Sequence, residues 1–356
     1  MKFLRTAFLL ATAIVLGSNM AHATVSYTCD PTVSASVCTT LNTTIAGLYN
    51  STFTNADANI YIQYGTTGLG ESTTGYFNTI SYAAYRSDLI AEAGSGLVRA
   101  EAIASLPITE PALYGGGDIS ITSALGTALG LTGLNGTTST GALCTIGGAG
   151  CYNGIITVTN DPTTPLYYRT GGPEPADAYD YYTTVEHETD EVLGTSSCID
   201  TQGPSLTNSC TGAGATASAV DLFRCGASGS HVLLDSTPGA YFSYNGCATN
   251  GAVGVGGTPK LYNTLANGDD YADFIASSPD CGTNQAVQDG TGCPGEDAGL
   301  DITNDGGAEI NILDAVGYNL ATSSTPAPEP MTLAIMLPGI AGLAALRRRR
   351  KAKTDQ

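Results

Sequence analysis

The sequence predicts an α+β protein with a regular first half and a loop-rich, disulfide-tied second half. Three features predict it. Asn59 to Tyr64 (NIYIQY) alternates apolar and polar residues, and Gly154 to Thr159 (GIITVT) is a short β-branched run, so both read as strands. Tyr82 to Ala104 and Tyr179 to Leu193 carry apolar residues at helical spacing. Beyond Gly194 the chain is rich in Gly, Ser, Thr and Cys and loses periodicity until Ile310 to Tyr318 (INILDAVGY), a closing helix.

Taken in order, the chain opens with Lys2 and Arg5, an apolar run from Ala7 to Leu16, and small residues at Ala21 and Ala23. That is the layout of a secretory signal peptide cut after Ala23, with an apolar run too short to span a bilayer core of roughly 30 Å. An N-terminal α+β lobe is expected over 24–194. In it, Ser87 and Asp88 are candidates to cap or begin the helix of Tyr82 to Ala104, and Pro107 stops it. Gly117 to Thr122 and the following SALGTALGL predict a short strand and a short helix. Pro162 to Pro175 predicts a loop, and Gly194 suits the end of the helix that begins at Tyr179. A C-terminal lobe is expected over 195–325. Residues 326–356 form a tail in which Met331 to Leu346 is apolar and Arg347 to Arg350, Lys351 and Lys353 follow. The segment 331–346 is read as a transmembrane helix slightly under the usual length of about 20 residues, with its basic end held in the cytoplasm.

The net charge is -19, and outside the leader and the tail only Arg86, Arg99, Arg169, Arg224 and Lys260 are basic. Nothing in such a body neutralises phosphates, which excludes nucleic acid as a partner. All ten cysteines lie in the body without a Cys-x-x-Cys pair. In an exported chain this predicts disulfides between consecutive cysteines: Cys29 with Cys38, Cys144 with Cys151, Cys198 with Cys210, Cys225 with Cys247 and Cys281 with Cys293.

One helix concentrates the unusual chemistry. TTVEHETDEVLG places Glu186, Glu188, Asp190 and Glu191 around His187, one of two body histidines. His187 and Glu191 are four residues apart and share a face, so an imidazole nitrogen and a carboxylate oxygen can reach one metal ion. Glu188 lies about 100° round from His187, where a general base belongs. Val185, Val192 and Leu193 would anchor the helix to a core. A divalent cation, zinc first, relieves the repulsion among the carboxylates.

Two resemblances extend this reading. Pro328-Glu329-Pro330, the apolar segment and the arginine run resemble the PEP-CTERM sorting signal of Gram-negative bacteria. The resemblance implies export, temporary anchoring in the inner membrane by 331–346, and an exosortase-type sorting enzyme as partner. HETDEVLG is similar to the HExxHxxG start of the metzincin and wider zincin metallopeptidases, with Glu191 in place of the second histidine. It is closer to exported bacterial proteins carrying His-Glu-x-x-Glu-Val-[Leu/Met]-Gly that are classed as metalloproteases. Val220 to Arg224, Tyr241 to Ser243 and Leu313 to Tyr318 are similar too. The resemblance implies a zincin-like fold with a cleft between its halves, a peptide or protein substrate, and a zinc held by His187 and Glu191 with Glu188 as base. The metzincin position for a third ligand is Ser197. Two candidates stand in for it: Asp221, within the similar stretch, and His231, which would give a His-Glu-His zinc set. Tyr241 and Tyr244 are candidates to assist an oxyanion, and the Cys29 to Cys38 region is a candidate to cover the cleft.

Two other classes stay open. A noncatalytic matrix or biofilm surface protein fits the tail, the polar body and the missing histidine. A calcium-binding adhesion domain is raised by Asp269-Asp270 and by Asp301 to Asp305, but the EF-hand pattern starting at Asp301 fails at Ile312, where Glu is needed. A structural calcium beside the zinc is compatible with either ending.

Overall fold

The protein is described by a computed structural model. It describes residues 24–321, apart from 75–77, 95, 111–117, 172–173, 200–216, 234–236, 254–256, 258, 265–268, 276–285 and 296–306. The leader, the PEP-CTERM-like tail with segment 331–346, and Asp301 to Asp305 lie outside the described residues. No helix among the described residues is long and apolar enough to cross a membrane.

The chain begins with β1 (Thr24–Cys29), then α1 (Ala35–Thr40), a π-helical turn (Leu41–Ile45) and α2 (Ala46–Thr52). Next come β2 (Asp57–Gly65), β3 (Gly70–Thr73), β4 (Asn78–Ser81), α3 (Tyr82–Ala91), α4 (Leu97–Ser105), β5 (Asp118–Ile121) and α5 (Ser123–Ala128). The hairpin β6 (Asn135–Thr137) and β7 (Leu143–Thr145) is followed by β8 (Gly154–Thr159), β9 (Leu166–Tyr167) and β10 (Tyr179–Asp180). Then come the histidine helix α6 (Tyr181–Asp190), β11 (Ala217–Ser218), β12 (Arg224–Cys225), β13 (Tyr241–Phe242) and α7 (Ala308–Val316).

The main sheet has the order β1-β2-β8-β3, with β1, β2 and β8 parallel and β3 antiparallel at the edge. Ile60, Ile62, Ile156 and Val158 are buried in it, as the alternating and β-branched sequences require. Helix α6 packs against β8 and β3. Its Val185, and Val192 and Leu193 just beyond it, are completely buried, each contributing roughly 1.5–3 kcal/mol of apolar burial. A second sheet has the order β11-β5-β4, so a strand from beyond residue 194 pairs with the first half. Tyr318, after α7, donates its hydroxyl to Leu193 O at 2.7 Å. The described residues up to Leu320 accordingly form one compact unit, with the two expected lobes sharing a sheet and a core.

The mixed α+β class agrees with the sequence, and several details differ. The helix expected over Tyr82 to Ala104 is two helices, α3 and α4, because the poor helix formers Gly94 and Gly96 fall between them although the apolar spacing continues. Its cap is Ser81, which accepts from Ala84 N, and not Ser87 or Asp88. The Pro162 to Pro175 loop contains β9, which pairs with β10. Disulfides join Cys29 to Cys38, Cys144 to Cys151 and Cys225 to Cys247, three of the consecutive pairs. Cys198 and Cys293 are also disulfide-bonded, and Cys210 and Cys281 lie outside the described residues.

Candidate metal centre

The site is built on α6. Asp180 caps it by accepting from Thr183 N at 2.8 Å, and Arg169 holds that carboxylate with its Nε 2.6 Å from Oδ2. The side of the helix bearing Glu186 and Asp190 is pinned inward. Tyr49 donates its hydroxyl to Asp190 Oδ1 at 2.6 Å and to Glu186 O at 3.1 Å, and the hydroxyls of Tyr27 and Thr189 meet at 2.9 Å. His187, Glu188 and Glu191 are thereby turned to another side. Glu191 opens a π-helical turn, Glu191–Thr195, in which Gly194 has φ 127° and ψ 23°, a conformation that L side chains rarely adopt.

His187 Nδ1 lies 2.8 Å from Val287 O. A carbonyl only accepts, so Nδ1 carries the hydrogen and the lone pair of the neutral ring is on Nε2. Nε2 is 3.9 Å from Glu191 Oε1 and 3.7 Å from Asp273 Oδ1. Those separations are too long for hydrogen bonds. They approach the spacing of about 3.3–3.6 Å that ligand atoms take around a tetrahedral zinc with bonds of about 2.0–2.2 Å. Ligand atoms of His187, Glu188 and Glu191 all fall within 4.8 Å of one another.

Each carboxylate is oriented by its own partners. Ser72, on β3, donates its hydroxyl to Glu191 Oε2 at 2.5 Å. Asp273 Oδ1 accepts from Gln288 Nε2 at 2.9 Å, and its Oδ2 accepts from Asp270 N at 3.0 Å. Glu188 sits so close to β3 that a Cβ on Gly70 would be 2.5 Å from its Oε1. A side chain at this position would force Glu188 and Thr184 to shift.

Burial pushes the Glu188 carboxyl well above the usual carboxylate range, reinforced by Glu191 and Asp273 and opposed by the backbone N–H of Ser72. Burial, and after it Glu191, does the same to Asp270 and Asp273. The basic residues of the body contact other groups: Arg86 the carbonyl of Leu106, Arg99 Asp314, Arg169 Asp180, Lys260 Asp289, and Arg224 the carbonyls of Tyr271 and Asn263. A half-buried imidazole whose lone pair faces buried carboxylates is a donor set suited to a divalent cation, which stabilises their charged forms. The residues therefore fit a metal.

Neither candidate for a third ligand falls in the group formed by His187, Glu188 and Glu191. Asp221 Oδ1 accepts from Ser197 Oγ at 2.6 Å, while Oδ2 accepts from Cys198 N, Ser218 N and Ser218 Oγ at 2.8, 2.7 and 2.9 Å. These four hydrogen bonds use the carboxylate to tie loops together. His231 bridges Cys225 in a short antiparallel contact and is grouped with Cys225 and Cys247, not with His187. Those two sulfurs are bonded to each other, so that trio lacks the thiolates a metal needs. Sequence reasoning did not single out Asp273, whose Oδ1 lies 3.7 Å from His187 Nε2. Its signal was the acidic run Asp269-Asp270, read there as calcium-type chemistry. Tyr241 donates its hydroxyl to Cys247 O, beside the disulfide, and the Tyr244 ring packs tilted against Phe242. The Cys29 to Cys38 region follows β1, which two strands separate from β3.

Comparison with known protein families, with curated proteins and with solved structures finds no match.

Proposed function

We propose that the protein is an exported zinc-dependent peptidase of zincin-like fold, in which His187, Glu191 and Asp273 hold the metal and Glu188 is the general base. One observation carries the reading: His187 turns Nε2, freed by the Val287 carbonyl, toward two carboxylates at 3.7 and 3.9 Å, with Glu188 beside them. When bound, the metal would polarise a scissile carbonyl and acidify water. Glu188 removes the proton of the attacking water and passes it to the departing amine.

The position of β3 supports a peptide substrate. It is the edge strand of its sheet and passes against Glu188 at Gly70. A sheet edge accepts an extended peptide as an added strand, and one laid beside β3 would bring its backbone to the base. Two carboxylate ligands cancel the charge of a divalent zinc, so water is acidified less than by three histidines and Glu188 has more of the work to do. The leader and the PEP-CTERM-like tail support an address at the envelope or cell surface, reached through an exosortase-type enzyme.

The test is metal content by inductively coupled plasma mass spectrometry together with cleavage of a peptide library, on chain made in an oxidising compartment. One zinc per chain is expected in the wild type and in Glu188→Gln, with cleavage roughly 10²- to 10⁴-fold slower in the variant. A zinc-loaded wild type that cleaves no better than Glu188→Gln would leave a noncatalytic surface protein with a structural metal.

A further inference from the structure

Two adjacent residues outside the ligand set touch two of its members. Val287 O orients His187, and Gln288 Nε2 orients Asp273. We propose that Gln288 is the positioning residue of the metal centre, fixing the Asp273 carboxylate relative to the turn that carries Glu191. The inference rests on the reading of Asp273 as a ligand.

Gln288 is almost wholly buried, and its backbone and side chain are bonded at every polar group. Nε2 donates to Asp273 Oδ1 at 2.9 Å, while Oε1 accepts from Thr195 Oγ1 at 3.2 Å. Its backbone N–H donates to Glu309 Oε1 on α7 at 2.9 Å, and its carbonyl accepts from Phe274 N at 2.8 Å. The carboxylate fixes which end of the amide is nitrogen, because Asp273 Oδ1 needs a donor. Thr195 closes the π-helical turn that Glu191 opens. One amide therefore links the turn bearing Glu191 to the segment bearing Asp273. The link is anchored next door, where Lys260 Nζ holds Asp289 at 3.1 and 3.2 Å and Ala286 N donates to Asp289 Oδ2 at 2.9 Å.

The chemistry requires an amide. Glutamate at this position has the same shape but sets an oxygen against Asp273 Oδ1, and alanine leaves both partners unpaired in a buried place. Partners of this kind tune affinity without touching the ion, typically by 10- to 100-fold.

Zinc affinity, measured by competition with a fluorescent chelator, tests the assignment beside the melting temperature of the metal-free chain. Gln288→Ala is expected to weaken zinc roughly 10- to 100-fold, and Gln288→Glu at least as much. In an Asp273→Ala background, Gln288→Ala is expected to cost nothing further, which a merely structural role would not produce. If Gln288→Ala does not fold, the isosteric Gln288→Glu carries the comparison. Wild-type affinity in either folded variant, or an equal loss in the Asp273→Ala background, overturns the proposal alone. A wild type that binds no zinc, or an Asp273→Ala chain that binds it as tightly as wild type, removes the ligand reading and this proposal with it.

Discussion

His187 and His231 are the two histidines of the body, and each lies with two further potential ligands whose atoms are within 4.8 Å. Around His187 the companions are Glu188 and Glu191, buried acids that a cation would stabilise. Around His231 they are Cys225 and Cys247, already bonded to each other. The two rings also differ in setting: His187 has Nδ1 fastened to a carbonyl, whereas Nδ1 of His231 is buried without a hydrogen-bond partner and burial lowers that ring's pKa. Residue types alone rank the cysteine-rich trio as the better zinc site. Bonding state and ring orientation reverse the ranking.

The most severe way to break this contrast is to remove each imidazole. His187→Ala is expected to abolish zinc uptake while His231→Ala keeps one zinc per chain; elemental analysis showing the reverse would collapse the comparison. A second experiment sharpens it from the other side. Replacing Cys225 and Cys247 together by serine opens a loop with a sequence separation of 22. Loop entropy sets the cost at about 3 kcal/mol, read by denaturant unfolding, with zinc stoichiometry unchanged.

Asp221→Ala comes next. It strips an acceptor from Ser218 N and Cys198 N and should destabilise by about 2 kcal/mol without loss of zinc. Loss of metal in a folded Asp221→Ala chain would return Asp221 to the ligand set. The smallest effect tests an acid remote from either histidine. Burial raises the Asp314 carboxyl to about 6, against the opposing charge of Arg99. The native state then holds a proton between pH about 4 and about 6 that the unfolded chain has released, so this group's stabilisation is full at the acid end and lost as pH rises through about 6. Asp314→Asn should flatten that decline, and denaturant titrations at pH 4.5 and 6.5 measure it.

The legible part of the centre is the part that one helix supplies. His187, Glu188 and Glu191 are fixed by a local repeat, and Val185, Val192 and Leu193 show which side faces the core. Asp273, Val287 and Gln288 come from 80 to 100 residues further on, in irregular backbone where no periodicity reports which side chains converge. Ser197, at the spacing where a metzincin places its ligand, illustrates the limit. It stands at the acids but serves them as a donor, through its N–H to Asp270 and its hydroxyl to Asp221. In the first half, the strands with clean alternation were readable. The break between α3 and α4 was not, because apolar spacing runs on across Gly94 and Gly96.

The few cations have a consequence beyond charge pairing. Arg99, Arg224 and Lys260 are buried, and Arg86 and Arg169 are half-buried. A protease that cuts after lysine or arginine therefore finds almost nothing to grip on the folded body. The same scarcity makes limited trypsin digestion a sharp reporter of unfolding, since cleavage at Arg99, Arg224 or Lys260 requires the core to open first.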